Sequence, residues 1–200
     1  MAFNISNDRA LESINNCLSE LLKIEHLIEG MGSTSTPVPY LTRYAIIKAC
    51  GTIEYSFKTI ICDYNYTSHN TQIRNFIDGK FRNSSMNPNY DNIIKGLQQF
   101  DKNWSKSFIE KVKAHPNKQK LHTSLSSLNT ARNTFAHGGS PTASFTNVKD
   151  YFLDSIKFIE LMELAIIESD VTQEQEQEQE QEQEQEQEQE QEQEQEQEQV

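Results

Sequence analysis

The chain has 200 residues, 30 acidic against 18 Lys and Arg, for a formal charge of −12. That charge belongs to one end: residues 173–199 alternate Gln and Glu strictly, which leaves 17 acidic residues and a net charge of about +1 for residues 1–172. The acidic balance therefore does not exclude a nucleic-acid partner for the body. No stretch approaches the roughly 20 apolar residues of a membrane span, and Met1–Arg9 has no apolar run of the signal-peptide kind. The three cysteines, Cys17, Cys50 and Cys62, form no C-x-x-C pair and read as buried thiols of a cytoplasmic protein. No cofactor or metal is expected, because phosphate-loop, zinc and dinucleotide spacings are all missing.

The apolar periodicity is helical almost throughout. A first helix is predicted from Asn7 or Asp8, with Leu11, Ile14, Leu18, Leu21 and Ile28 on one face, ending at Gly30. After a Ser/Thr/Pro loop, a second runs from about Leu41 to Tyr64 with Ile46, Cys50, Ile53, Phe57 and Ile60 in register. Its wide apolar arc suggests a central helix, and Gly51 within it suggests a close helix crossing. Residues 65–90 are polar, with a short helical piece around Ile73, Phe76 and Ile77 and a loop from Arg82 to Pro88. Further helices are expected over Asp91–Ala114, Leu121–His137 and about Asn147–Glu168. The expectation is an all-α bundle of about five helices spanning 1–172, followed by a Gln-Glu tail over 173–200 that is flexible or partly helical.

The helix from Leu121 carries an anomaly. Its stripe reads Leu121, Leu125, Leu128, Arg132, Phe135, so a guanidinium occupies an apolar position and must meet a carboxylate, a phosphate or a wet cleft. His137 closes the helix before Gly138-Gly139. Asn133 and His137 are an i,i+4 pair, so the amide is placed to orient the imidazole. An Arg that clamps phosphate beside a His that moves a proton suits phosphodiester cleavage.

Arg132-Asn133-Thr-Phe-Ala-His137, late in an all-α chain, resembles the signature of the HEPN superfamily. With the Tyr40–Lys58 segment and the Arg82–Pro88 loop it is similar to the RiboL-PSP-associated branch. The resemblance implies a metal-independent endoribonuclease in which the ribose 2′-hydroxyl attacks the adjacent phosphate. Arg132 and His137 map onto the catalytic pair and Asn133 onto the polar residue after the Arg. It also implies a homodimer with two motifs facing one cleft, acting as a toxin or antiviral defence effector with an antitoxin or defence-system partner. The Tyr that a nucleotidyltransferase antitoxin modifies, two residues after the His, is Gly139 here, so that control is not expected. The alternative is a non-catalytic HEPN module that binds RNA or nucleotide or assembles a defence complex. A third reading is a purely structural helical domain.

Secondary candidates carry two readings each. Glu54 shares a stripe with Ile47, Cys50, Phe57 and Ile61, and either supports Arg132 or pairs with Arg43, Lys58 or solvent. Arg82, Asn83 and Asn87 either contact RNA or shape a turn. Lys118 and Lys120, with Lys113, His115 and His122, either track phosphates or form a solvated linker.

Overall fold

A computed structural model describes residues 2–66, 69–169 and 171; the Gln-Glu tail lies outside them. The described chain is helical with no strand. Its elements are α1 (Asp8–Met31), α2 (Val38–Tyr66), α3 (Thr71–Ile77), a π-helical turn (Asp78–Arg82), α4 (Tyr90–Phe100), α5 (Lys102–Ala114), α6 (Lys118–Ala136) and α7 (145–169).

Each boundary has a local cause. Asn7 caps α1 by accepting from the Ala10 amide at 2.9 Å. The helix runs past Gly30 to Gly32, whose φ of 87° is the left-handed conformation glycine tolerates. The single helix predicted over Asp91–Ala114 is two helices. Asp101 adopts an extended conformation, ends α4, and caps α5 by accepting from the Asn103 amide at 2.6 Å. An aspartate that bonds a nearby backbone amide offers the chain an alternative to continuing the helix. This break, with the short α3, raises the helix count above the expected five.

α2 is the hub. It packs against α1, α6, α3 and the π-turn, and Ala45, Ile46, Ala49, Ile53, Phe57 and Ile61 are fully buried. α7 closes the core with Phe152, Ile156, Phe158, Ile159 and Met162. The buried Glu163 of α7 accepts from the backbone amides of Ser6 at 2.6 Å and Asn7 at 2.7 Å, which fixes the entry to α1. Cys17, Cys50 and Cys62 are buried free thiols, each pushed up to about 11 by burial.

The close helix crossing expected at Gly51 is absent; the glycine whose missing side chain makes room for packing is Gly96, beneath two aromatic rings. A Cβ at Gly51 meets nothing within 4 Å, whereas one at Gly96 meets the rings of Phe57 and Phe81, both at 3.1 Å. Phe57 and Phe81 pack edge to face at 5.8 Å and are buried, so neither ring has room to withdraw. Opposite signs follow for the same substitution. Gly96→Ala is expected to destabilise by about 1–2 kcal/mol through overpacking, while Gly51→Ala is expected to stabilise by up to about 1 kcal/mol through helix propensity. Urea midpoints of the two variants check this; equal shifts would contradict the packing.

Candidate functional site

Leu121, Leu125 and Leu128 anchor α6 in the core. The same stripe, continued one turn further, brings Arg132 to the end of the bundle, where it is half-buried. Among the described residues no carboxylate pairs with it. Its Nη1 donates to Asn133 Oδ1 at 3.2 Å, and the same oxygen accepts from Asn87 Nδ2 at 3.0 Å. The carbonyl oxygen of Asn133 therefore holds the guanidinium. No hydrogen bond joins the Asn133 amide to the His137 ring, contrary to the orienting role expected from their spacing.

His137 is the C-cap of α6 and its side chain is exposed. The turn that places it is a Schellman motif. Gly138 N donates to Phe135 O at 3.0 Å and Gly139 N to Thr134 O at 2.8 Å, with Gly138 at φ 81°. Both glycines are required. Gly138 supplies the left-handed residue, and a Cβ at Gly139 would stand 2.9 Å from Thr134 O. The pair stops the helix one residue after Ala136 and leaves the imidazole facing solvent.

The loop 83–89 is a brace against this helix end. Lys58, only 4 % exposed, donates from Nζ to Ser84 O and to Glu54 Oε1, the latter at 2.6 Å. Glu54 Oε1 also accepts from the Met86 amide at 3.1 Å. Asn129 Nδ2 donates to Pro88 O at 3.3 Å, Asn92 Nδ2 to Asn87 O at 2.9 Å, and Asn87 then reaches Asn133. A chain of polar contacts thus runs from α2 through the loop to Arg132.

A second guanidinium stands at the same end. Arg43 of α2 lies 5.8 Å from the Phe135 ring centroid and 5.7 Å from that of Tyr40, and its Nη2 donates to Ser140 Oγ at 3.2 Å. Phe135 and Ser140 bracket His137 in sequence. The sequence offers Arg43 as an alternative partner for Glu54 and as part of the Tyr40–Lys58 segment, but not as a neighbour of the motif. Its position in a helix 90 residues upstream gives no local signal of proximity to the motif.

The sequence model of the family described as RiboL-PSP-HEPN matches residues 10–168. The chain belongs to the RiboL-PSP-HEPN family. No curated protein and no solved structure shows significant similarity to it. The match takes in all the elements that build the Arg132–His137 end of this HEPN chain.

The other sequence candidates of the HEPN chain are placed elsewhere or otherwise engaged. Glu54 pairs with Lys58 rather than Arg132, so its contribution to the site runs through the loop; Ile47 of its supposed stripe is exposed. Arg82 is ion-paired with Asp63 at 2.6 Å and Asp78 at 2.7 Å and lies over the Tyr66 ring. Burial pulls its guanidinium down, but the bonds to Asp63, Asp78 and Tyr66 outweigh that and hold it above the ordinary arginine range, and it knits α2 to the π-turn instead of standing free for RNA. Asn83 caps that turn, its backbone amide donating to Asp78 O at 2.9 Å. Lys118 and Lys120 belong to the opposite end of α6, roughly 20 Å from Arg132 at 1.5 Å per residue. Lys120 pairs with Asp154 at 2.8 Å and Lys118 donates to Lys113 O at 3.1 Å. His122 leaves that basic cluster to pack on Tyr90 and Phe158. Among the described residues no group of three His, Cys, Asp or Glu side chains is placed to hold a metal, and no helix is long and apolar enough to cross a membrane.

Proposed function

We propose that this HEPN chain, with residues 1–172 as its domain, is a metal-independent endoribonuclease that works as a homodimer. The observation that carries the reading is the presence, at one helix end, of a half-buried Arg132 without a carboxylate partner among the described residues and an exposed His137. Arg132 would bind the scissile phosphate and stabilise the charge that builds on its oxygens in the transition state. One His137 would take the proton of the 2′-hydroxyl as that oxygen attacks phosphorus. A second would return a proton to the departing 5′-oxygen, leaving a 2′,3′-cyclic phosphate and a 5′-hydroxyl. One imidazole cannot do both in a single concerted step, and the motif supplies one per chain, so the second belongs to another copy. Tyr44, Ile47 and Tyr55, exposed along one side of α2, offer an apolar surface for that copy. A toxin or defence effector is the cellular role that fits an RNA-cutting dimer, and an antitoxin or defence-system partner would restrain it in the cytoplasm.

The test is cleavage of an end-labelled RNA in EDTA by the wild type, Arg132→Ala and His137→Ala, with the product ends identified. Loss in both variants and persistence in EDTA support the reading. Wild-type rates in either variant, or products ending in a 3′-hydroxyl, would overturn it. A wild type that binds RNA without cutting it would leave the non-catalytic module standing.

Asn87 enters this reading as a positioning residue. Asn87→Ala removes one hydrogen bond worth about 0.5–1.5 kcal/mol from the Asn133 oxygen that holds Arg132. The expected result is a kcat lower by about 2- to 12-fold at a nearly unchanged melting temperature. A fall in melting temperature with intact kcat would assign Asn87 to the fold alone.

A further inference from the structure

We propose that Arg43 and Tyr40 form a binding site for one nucleotide of single-stranded RNA next to the scissile bond; the proposal rests on the ribonuclease reading. The two residues line a groove of about 1050 Å³ between the α1–α2 turn and the segment that follows the motif, with Thr36, Ser140 and Ser144. Arg43 has no ion pair among the described residues. Its guanidinium is stationed by the Phe135 and Tyr40 rings and by Ser140 Oγ, and one hydrogen bond to a hydroxyl leaves most of its five donors available. A cation fixed on aromatic faces, beside a helix end that presents His137, suits a phosphodiester.

Tyr40 is 66 % exposed, more than any other aromatic side chain of α2, and offers an open ring face. A base stacked on such a face gains affinity without sequence readout, and the hydroxyls of Thr36, Ser140 and Ser144 are donors and acceptors for its edge or its ribose. The groove's charge limits the ligand. α1 contributes Glu25 and Glu29 to the same lining; Glu25 is ion-paired with Lys149, while Glu29 is an exposed carboxylate with His26 Nδ1 at 3.9 Å. One cation without an ion pair among the described residues, in a groove that also holds that carboxylate, fits a single phosphate with its base and disfavours a polyphosphate. Phe135 and Ser140, on either side of His137, tie this groove to the motif, so a strand bound there continues into the cleavage site.

The experiment is fluorescence anisotropy with a labelled, mixed-sequence 2′-O-methyl oligonucleotide, which binds as RNA but lacks the attacking hydroxyl. Full-length wild type, Arg43→Ala, Arg43→Lys and Tyr40→Ala are titrated over a range of salt, with circular dichroism melts alongside. Arg43→Ala is expected to raise Kd about tenfold and to flatten the slope of log K against log salt by about 0.7, the loss of one single-strand phosphate contact. Arg43→Lys should keep the slope. Tyr40→Ala should raise Kd about tenfold with the slope unchanged, since stacking releases no counterion. Wild-type Kd and slope in Arg43→Ala would overturn the nucleotide site while leaving the ribonuclease reading intact. The same result with a shift from dimer to monomer by light scattering would reassign Arg43 to a contact between copies. A wild type that binds no oligonucleotide would overturn both.

Discussion

Replacing His137 by alanine is expected to lower the single-turnover rate of RNA cleavage by about 10²- to 10⁴-fold, the usual contribution of a positioned acid or base. The fold should barely notice. His137 is exposed, its ring makes no hydrogen bond among the described residues, and the contacts that end α6 belong to its backbone and to Gly138 and Gly139. Melting temperature and oligomeric state should therefore stay with the wild type. Arg132→Ala is expected to cost about 10²- to 10³-fold, as for the loss of one transition-state donor. Because the two groups act in one step, the double variant should be little worse than the poorer single one. Losses that multiply in full would mean independent roles. Arg132→Lys is a sharper probe: it keeps the charge but loses the planar fork, so it should recover RNA binding more than rate. Cleavage unaffected by His137→Ala would end the ribonuclease reading, however well the variant folds.

Replacing Lys58 by alanine is expected to destabilise the protein by about 3 kcal/mol, the scale for breaking a buried ion pair by removing one partner. Lys58 is almost fully enclosed, and its ammonium bonds both Glu54 and the Ser84 carbonyl. Its loss leaves the Glu54 carboxylate short of a counter-charge in a largely buried position and frees the loop that carries Asn87. Two readouts should move together: the urea midpoint falls, and kcat falls even where the chain is fully folded, because the brace behind Asn133 has loosened. Lys58→Met keeps the volume and removes the charge. If it restores stability but not kcat, the ion pair is there for the loop. If it restores both, the loop is held by other contacts and the chain from α2 to Arg132 is not a mechanical link.

Gly51 and Glu54 show why local pattern stops short of the site. Both occupy α2 at places where periodicity asks for a reason: a helix crossing for the glycine, and for the carboxylate either Arg132 or one of Arg43, Lys58 and solvent, between which local pattern does not choose. Gly51 faces open space and Glu54 bonds a lysine one turn away and the amide of a loop residue 32 positions on. Arg82 repeats the lesson from the other side. A lone arginine in a polar loop offers itself for RNA until the fold brings Asp63, 19 residues earlier, within 2.6 Å.

What the sequence determined by itself is the helical class, the main apolar stripes of α2 and α6 and the Arg132–His137 motif with its glycine stop. These rest on near-neighbour chemistry: side chains three and four residues apart share a face, and a left-handed turn needs glycine. Only the tertiary structure decided which polar residues meet. It crowded Gly96 rather than Gly51, turned Asn133 toward Asn87 and brought Arg43 from a helix about 90 residues away to the motif's edge. A hydrogen bond or a ring contact needs atoms within a few ångströms of one another, and across that much chain only the packing of the whole bundle fixes which atoms those are.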